Sequence, residues 1–153
     1  MRITKSWQEF EGDIDKLVER MGDYIPDVIV AFMNGGLVPA GILAEKLTQK
    51  YGRPFRDIRP VSVERKGEER RIAYDIQGSI SGLNVLLLED DLPTGLGPKV
   101  VKEQFERRGA RVKIAAIYVN PVSEKVADFY GEKLDELPNL PWKPSRKGDR
   151  IVN

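Results

Sequence analysis

Glu89, Asp90 and Asp91 follow the apolar run Val85-Leu86-Leu87-Leu88 and precede Thr94-Gly95-Leu96-Gly97-Pro98. Carboxylates accept hydrogen bonds, so such a cluster can hold the hydroxyls of a sugar. A glycine-containing turn that opens a helix offers backbone N–H groups without partners, and these can cradle a phosphate. Acids followed at once by such a turn therefore point to a phosphorylated sugar. A second turn, Asn34-Gly35-Gly36, follows the apolar run from Val28 to Met33, and Pro39 suits the first turn of a following helix. Charge clusters are usually ordinary solvated loops, and glycine is common wherever a strand turns into a helix. The functional reading rests on where these residues stand, after apolar runs and before helix starts.

The elements that position them can be read from periodicity. Ser6 and Glu9 form a capping box, and Phe10, Ile14, Leu17, Val18 and Met21 continue at helical spacing until Gly22. Residues 28–33 and 84–88 read as strands covered on both faces. A helix with Ile42, Leu43 and Leu47 inward runs to about Gly52. Residues 58–63 and 71–76 read as strands joined by a charged loop, Glu64 to Arg70. Pro98 begins a helix that ends near Arg108, and 112–119 is a further strand. Helices alternating with apolar strands specify an α/β fold with a mostly parallel central sheet flanked by helices. In such sheets ligands bind beyond the carboxyl ends of the strands, so both glycine turns should converge on one cleft.

Composition prunes the chemistry. The 153 residues suit one domain, 1–153. With no histidine and no cysteine there is no Ser-His-Asp triad, no imidazole or thiol chemistry, and no nitrogen- or sulfur-type metal site. Carboxylates, Lys/Arg, hydroxyls, backbone amides and an oxygen-liganded ion such as Mg²⁺ remain. Twenty-five basic residues against 24 acidic ones, net +1, argue against a nucleic-acid partner. No apolar stretch exceeds strand length, so no membrane association is expected and the expected location is cytoplasmic. A dinucleotide-binding turn would want a third glycine where Val100 stands.

On these motifs the sequence resembles the type I phosphoribosyltransferases, most of all the small xanthine/guanine/hypoxanthine enzymes. The family signature is an apolar strand, two acids, two apolar residues and Asp-Thr-Gly-x-Thr/Ser. Here Leu86-Leu87-Leu88, Glu89-Asp90, Asp91-Leu92 and Pro93-Thr94-Gly95-Leu96-Gly97 fill those places. The family's pyrophosphate loop, Ala-Arg-Gly-Gly-Leu-x-Pro-Ala, is matched by Met33-Asn34-Gly35-Gly36-Leu37-Val38-Pro39-Ala40. The stretch from Asp128 to Trp142 is similar to the segment that closes over the purine. A small C-terminal hood at about 120–145 is therefore expected, with 146–153 as a flexible tail.

The resemblance implies Mg²⁺-dependent transfer of the 5-phosphoribosyl group from phosphoribosyl pyrophosphate to a purine base. Glu89 and Asp90 would be the catalytic acids on the ribose hydroxyls, with Asp91 beside them. Thr94, Gly95, Leu96 and Gly97 would bind the 5′-phosphate. Asn34, Gly35 and Gly36 would meet the pyrophosphate, at a turn where the family often has a cis peptide. Arg65 and Lys66 would close over it, and Leu137 and Trp142 would border the base. Mg²⁺ would arrive with the substrate, no protein-built metal site is implied, and relatives are commonly homodimers or homotetramers. Four positions depart from the family. Pro93 replaces the Asp that faces N7 of the purine, Gly97 a hydroxyl residue, Asn34 an Arg, and Leu137 an aromatic. Those departures also fit a regulator that binds nucleotide or phosphoribosyl pyrophosphate without turning it over. Plainer readings stand beside the site roles: Arg65, Lys66, Arg70 and Arg71 as a solvated hairpin, and Trp142 as packing for the C-terminal segment.

Overall fold

A computed structural model describes residues 2–143; the expected tail at 146–153 lies outside the described residues. The elements are α1 (Trp7–Met21), β1 (Val28–Phe32), α2 (Leu37–Tyr51), β2 (Ile58–Lys66), β3 (Glu69–Tyr74), β4 (Asn84–Leu92), α3 (Leu96–Arg107), β5 (Arg111–Val119) and β6 (Phe129–Lys133). They build one sheet in the order β3-β2-β1-β4-β5-β6. Every neighbouring pair is parallel except β2 with β3.

Alternation along the strands splits the core in two. Ile29, Ala31, Leu86, Leu88, Ala115 and Ile117 face α1 and α2, where Phe10, Ile14, Leu17, Leu43 and Leu47 meet them. Val28, Val30, Phe32, Val85, Leu87, Val112 and Ile114 face the opposite way, onto Val101 and Phe105 of α3. Side chains of a strand point alternately to the two faces, so a continuous apolar run is what a sheet covered on both sides requires.

α1 starts where the capping box places it: Ser6 Oγ accepts the Glu9 N–H at 3.1 Å, and Glu9 Oε2 accepts the Ser6 N–H at 2.8 Å. The other elements depart from the sequence reading in four places. β4 continues through Glu89, Asp90 and Asp91 to Leu92, so the acids are strand residues and not a loop. The charged loop expected between Glu64 and Arg70 shrinks to Gly67-Glu68, because β2 and β3 pair through Lys66↔Glu69. α3 begins at Leu96, two residues before Pro98. Part of the expected hood is a sixth strand, β6, parallel to β5. Among the described residues no helix is long and apolar enough to cross a membrane.

Candidate active site

β1 and β4 are adjacent and parallel, so their carboxyl ends lie side by side. β1 runs into Met33-Asn34-Gly35-Gly36 and α2, and β4 runs into Pro93-Thr94-Gly95 and α3. Neither Gly36 nor Gly95, the residues that cap these helices, supplies a side-chain hydrogen bond. The first N–H groups of a helix have no intrahelical acceptor, and they carry the positive end of its dipole. α1, on one outer face of the sheet, is closed by side chains at its N-terminus; at this edge the first N–H groups turn back on their own turns, Leu96 N–H to Thr94 Oγ1 at 3.3 Å and Leu37 N–H to Asn34 O at 3.2 Å.

The turns are held by close approach. Gly95 sits at φ 80°, a left-handed conformation that disfavours side chains, and a Cβ there would come within 2.8 Å of Val126. A Cβ on Gly36 would meet the carbonyl oxygens of Leu88 and Phe32 at 2.6 and 2.7 Å. A Cβ on Gly35 would lie 2.2 Å from Asp90 Oδ2. The turn at Gly35-Gly36 is thus pressed against β4, directly against an acid, and the turn at Gly95 against Val126. The Met33–Asn34 peptide is cis.

The acids differ in environment. Asp90 is 2% exposed and Asp91 4%, while Glu89 is half-buried. Asp90 Oδ1 accepts the Asp91 N–H at 2.7 Å. Lys143 lies against both, its Nζ 2.8 Å from Asp90 Oδ2 and 3.2 Å from Asp91 Oδ1. Burial depresses the Lys143 amine, but Asp90 and Asp91 outweigh it and raise its pKa, so it stays a cation. Burial, then Asp90 and Asp91, push the Glu89 carboxyl well above the usual range against the opposing pull of Lys143.

Glu89 opens into a cleft of about 270 Å³ lined by Phe32, Met33, Val63, Arg65, Arg70 and the turn from Leu92 to Pro98. Arg65 and Arg70 are direct cross-strand partners in the β2–β3 hairpin and so project from the same face. Like charges set opposite each other in a sheet repel. The hydrogen bonds of this pair among the described residues go to backbone carbonyls, Arg65 Nε to Gly67 O at 2.7 Å and Arg70 Nη1 to Glu68 O at 3.2 Å. Among the described residues neither arginine pairs with a carboxylate, and both line the cleft together with the turn that opens α3.

The structure therefore gathers Glu89, Thr94, Gly95, Leu96, Gly97 and Arg65 in one cleft, with Asp90, Asp91 and Gly35 packed beside it. Three base- or loop-side residues fall elsewhere. Lys66 stands at the hairpin tip opposite Glu69, outside the cleft lining. Leu137 is 7% exposed and belongs to the core with Leu140. Trp142 packs on Phe10, ring centroids 4.3 Å apart, and on Trp7 at 5.5 Å; this is the packing role and not a place in the cleft. Sequence reasoning missed Lys143 and left Arg70 in a solvated hairpin. It also missed a bracket across the site, in which Asn120 Nδ2 donates to Pro93 O at 3.0 Å while its Oδ1 accepts from the Val122 and Ser123 N–H groups.

A family model described as the phosphoribosyl transferase domain matches residues 4–147. The chain belongs to this family. A purine phosphoribosyltransferase from Pyrococcus horikoshii is 28% identical with a TM-score of 0.81, covering 97% of this chain and 98% of that one. A hypoxanthine phosphoribosyltransferase from Trypanosoma cruzi, solved with its product IMP, shares the fold at 22% identity, with a TM-score of 0.73 over 91% and 79% of the two chains. A hypoxanthine-guanine phosphoribosyltransferase from Lactococcus lactis is 36% identical over 53 residues, a stretch that spans 35% of this chain and only 29% of that protein. In this phosphoribosyl transferase domain Pro93 is tied through Asn120 to the segment that follows β5, so its carbonyl is a fixed point of the turn between β4 and α3.

Proposed function

We propose that this phosphoribosyl transferase domain moves the 5-phosphoribosyl group of phosphoribosyl pyrophosphate to a purine base, yielding a nucleoside monophosphate and pyrophosphate. A ring nitrogen of the base forms a bond to C1′ and gives up its proton. The bond from C1′ to the pyrophosphate oxygen breaks, and the leaving group keeps the electron pair. The observation that carries the reading is the meeting of two glycine-opened helix N-termini with a buried acid pair at adjacent strand ends.

In this reading Glu89 and Asp90 hold the ribose hydroxyls, and the turn from Thr94 to Gly97 takes the 5′-phosphate through backbone N–H groups and the Thr94 hydroxyl. Arg65 and Arg70 close the far side of that phosphate, supplying charge where Gly97 has no hydroxyl. Asn34, Gly35 and Gly36 at the mouth of α2 receive the pyrophosphate. Positioning and charge neutralisation supply the rate enhancement, because negative charge grows on the departing group. Mg²⁺ enters as part of the substrate, where it neutralises pyrophosphate charge. The domain is expected to act as a single unit across 1–153 and, like its relatives, as a homodimer or homotetramer.

The test is pyrophosphate release from phosphoribosyl pyrophosphate and Mg²⁺ with hypoxanthine, guanine, xanthine and adenine in turn. Release with at least one base is expected. Asp90→Asn should weaken ribose 5-phosphate binding about tenfold or more, the scale of a lost charged acceptor at about 1.5–3 kcal/mol. A protein that binds nucleotide yet releases no pyrophosphate with any of the four bases refutes the transferase reading.

A further inference from the structure

The oxygen atoms of Asp90 are unequally occupied. Oδ1 accepts the Asp91 N–H at 2.7 Å. Oδ2 is buried, and the Lys143 ammonium stands 2.8 Å away as its partner. Oδ2 is therefore the oxygen that a sugar hydroxyl reaches only in place of Lys143, and it is shut off from solvent. On one side it is walled by Gly35, where even a methyl group would collide at 2.2 Å. That wall is backbone and cannot yield. The movable group near Oδ2 is Lys143, whose side chain is 30% exposed and reaches in on a flexible four-carbon stem.

Lys143 is delivered to this place by packing. Trp142 wedges between Phe10 and Trp7. The strand-like contact of Thr4 with Asn139 ties the segment down upstream, with the Lys5 N–H donating to Asn139 O at 3.0 Å and the Asn139 N–H to Ile3 O at 2.8 Å. The Lys143 N–H donates to Leu140 O at 3.2 Å, closing a turn that aims the side chain at β4. Both carboxylates, 3% and 5% exposed at their side chains, contact this ammonium. Buried charge of one sign is costly without a counter-charge.

We propose that Lys143 is the displaceable counter-ion of the sugar site: it neutralises Asp90 and Asp91 while the site is empty and leaves Oδ2 when the ribose hydroxyls bind. The inference rests on the phosphoribosyl reading of Asp90. Lys143 acts through the acids, so it is a positioning residue in competition with the sugar. Removing its charge opens Oδ2 in advance, and the affinity for a ribose phosphate rises. A residue that merely packed the segment, or one that touched the phosphate, would give the opposite sign.

The experiment is calorimetric titration of ribose 5-phosphate into the wild-type protein, Lys143→Met and Lys143→Arg. A parallel measurement follows acetylation of Lys143 by acetic anhydride in the wild-type protein, read by mass spectrometry. Lys143→Met is expected to bind about tenfold more tightly, the scale of one partly buried ion pair, and Lys143→Arg to stay near wild type. Acetylation of Lys143 should be slow in the empty protein and faster at saturating ribose 5-phosphate. Equal or weaker binding by Lys143→Met overturns the proposal. So does acetylation that ribose 5-phosphate leaves unchanged or slows, a readout that stands even if the methionine variant does not fold. Failure of every protein to bind ribose 5-phosphate overturns the phosphoribosyl reading together with this one.

Discussion

Replacing Gly35 by alanine separates what the glycine turn does for the site from what it does for the fold. Neither Gly35 nor Gly36 has a positive φ, so their requirement is spatial and not conformational. The three atoms nearest a Cβ on Gly35 all belong to Asp90, at 2.2 Å for Oδ2, 2.7 Å for Cγ and 2.8 Å for Oδ1, whereas ordinary contact begins near 3.4 Å. The carboxylate must therefore retreat by about 1 Å, and a misplacement of that size in a binding constellation can cost on the order of 100-fold. A side chain at a strand end can give way, so the folding cost should sit near the low end of overpacking, about 1 kcal/mol. Gly36→Ala differs, because the three atoms nearest its Cβ are backbone atoms of Leu88 and Phe32. There the cost should reach about 3 kcal/mol, or roughly 6–12 °C in melting temperature for a chain of this size. Gly41→Ala is the control: its Cβ finds no atom within 4 Å, and removing a helical glycine should stabilise by about 1 kcal/mol. The assay is ribose 5-phosphate affinity by calorimetry beside thermal melting. Gly35→Ala should lose most of its affinity with a small melting shift, and Gly36→Ala should lose stability first. A folded Gly35→Ala protein that binds with wild-type affinity would sink the argument that Asp90 accepts the sugar.

Two further outcomes are expected. Arg65→Ala and Arg70→Ala should each weaken ribose 5-phosphate binding about tenfold or more and flatten its salt dependence. Neither should lower the melting temperature, since each relieves a like-charge pair; unchanged affinity in calorimetry would remove that arginine from the phosphate site. The second concerns Asp13, which is buried and accepts hydrogen bonds from Tyr118 Oη at 2.7 Å and Lys16 Nζ at 2.9 Å, with Lys5 Nζ also at 2.9 Å. Burial raises its pKa, but the bonds from Lys16, Lys5 and Tyr118 prevail and hold it below the ordinary 3.8. Its carboxylate therefore stabilises the fold above about pH 3.8, and that contribution drains away as pH falls through the lower folded value. Asp13→Asn should cost about 3 kcal/mol at pH 6, and its deficit in melting temperature should shrink below pH 3.8. A deficit that stays constant from pH 7 to pH 3 would refute the linkage.

Much of the architecture was legible because it is written in local patterns. The capping box of Ser6 and Glu9 set the start of α1, and the apolar runs at Val28 and Val85 marked strands buried on both faces. The site was half legible. Helix mouths follow from glycine turns after strands, so the turn after β4 and the acids before it could be placed at the strand ends. What the sequence hid were matters of long-range pairing. Three acids in a row read as a loop, yet β4 carries them as strand residues because Lys143 offsets two of them from a distant segment. β6 escaped notice because Phe129-Tyr130-Gly131-Glu132-Lys133 is short and mixed, and its pairing with β5 is not a local property. Arg70 could have been found: with the turn fixed at Gly67-Glu68, strand alternation puts it opposite Arg65. Leu137 was assigned to the base by resemblance, whereas its apolar side chain is better satisfied in the core.

The hairpin that carries Arg65 and Arg70 also forms a boundary of the sheet. β3 pairs with β2 alone and is an outermost strand, and an outermost strand presents unpaired N–H and C=O groups that can recruit another chain. Here that boundary is crowded with charge: Glu69, Arg70 and Arg71 on β3, and Glu64, Arg65 and Lys66 on its neighbour, with Arg71 and Glu64 joined as an ion pair. Charged side chains make strand-to-strand addition unfavourable, so the hairpin resists aggregation partly through the two arginines that line the cleft. Neutralising both arginines to abolish phosphate binding would strip some of that protection as well, and the single substitutions are the cleaner probes for it.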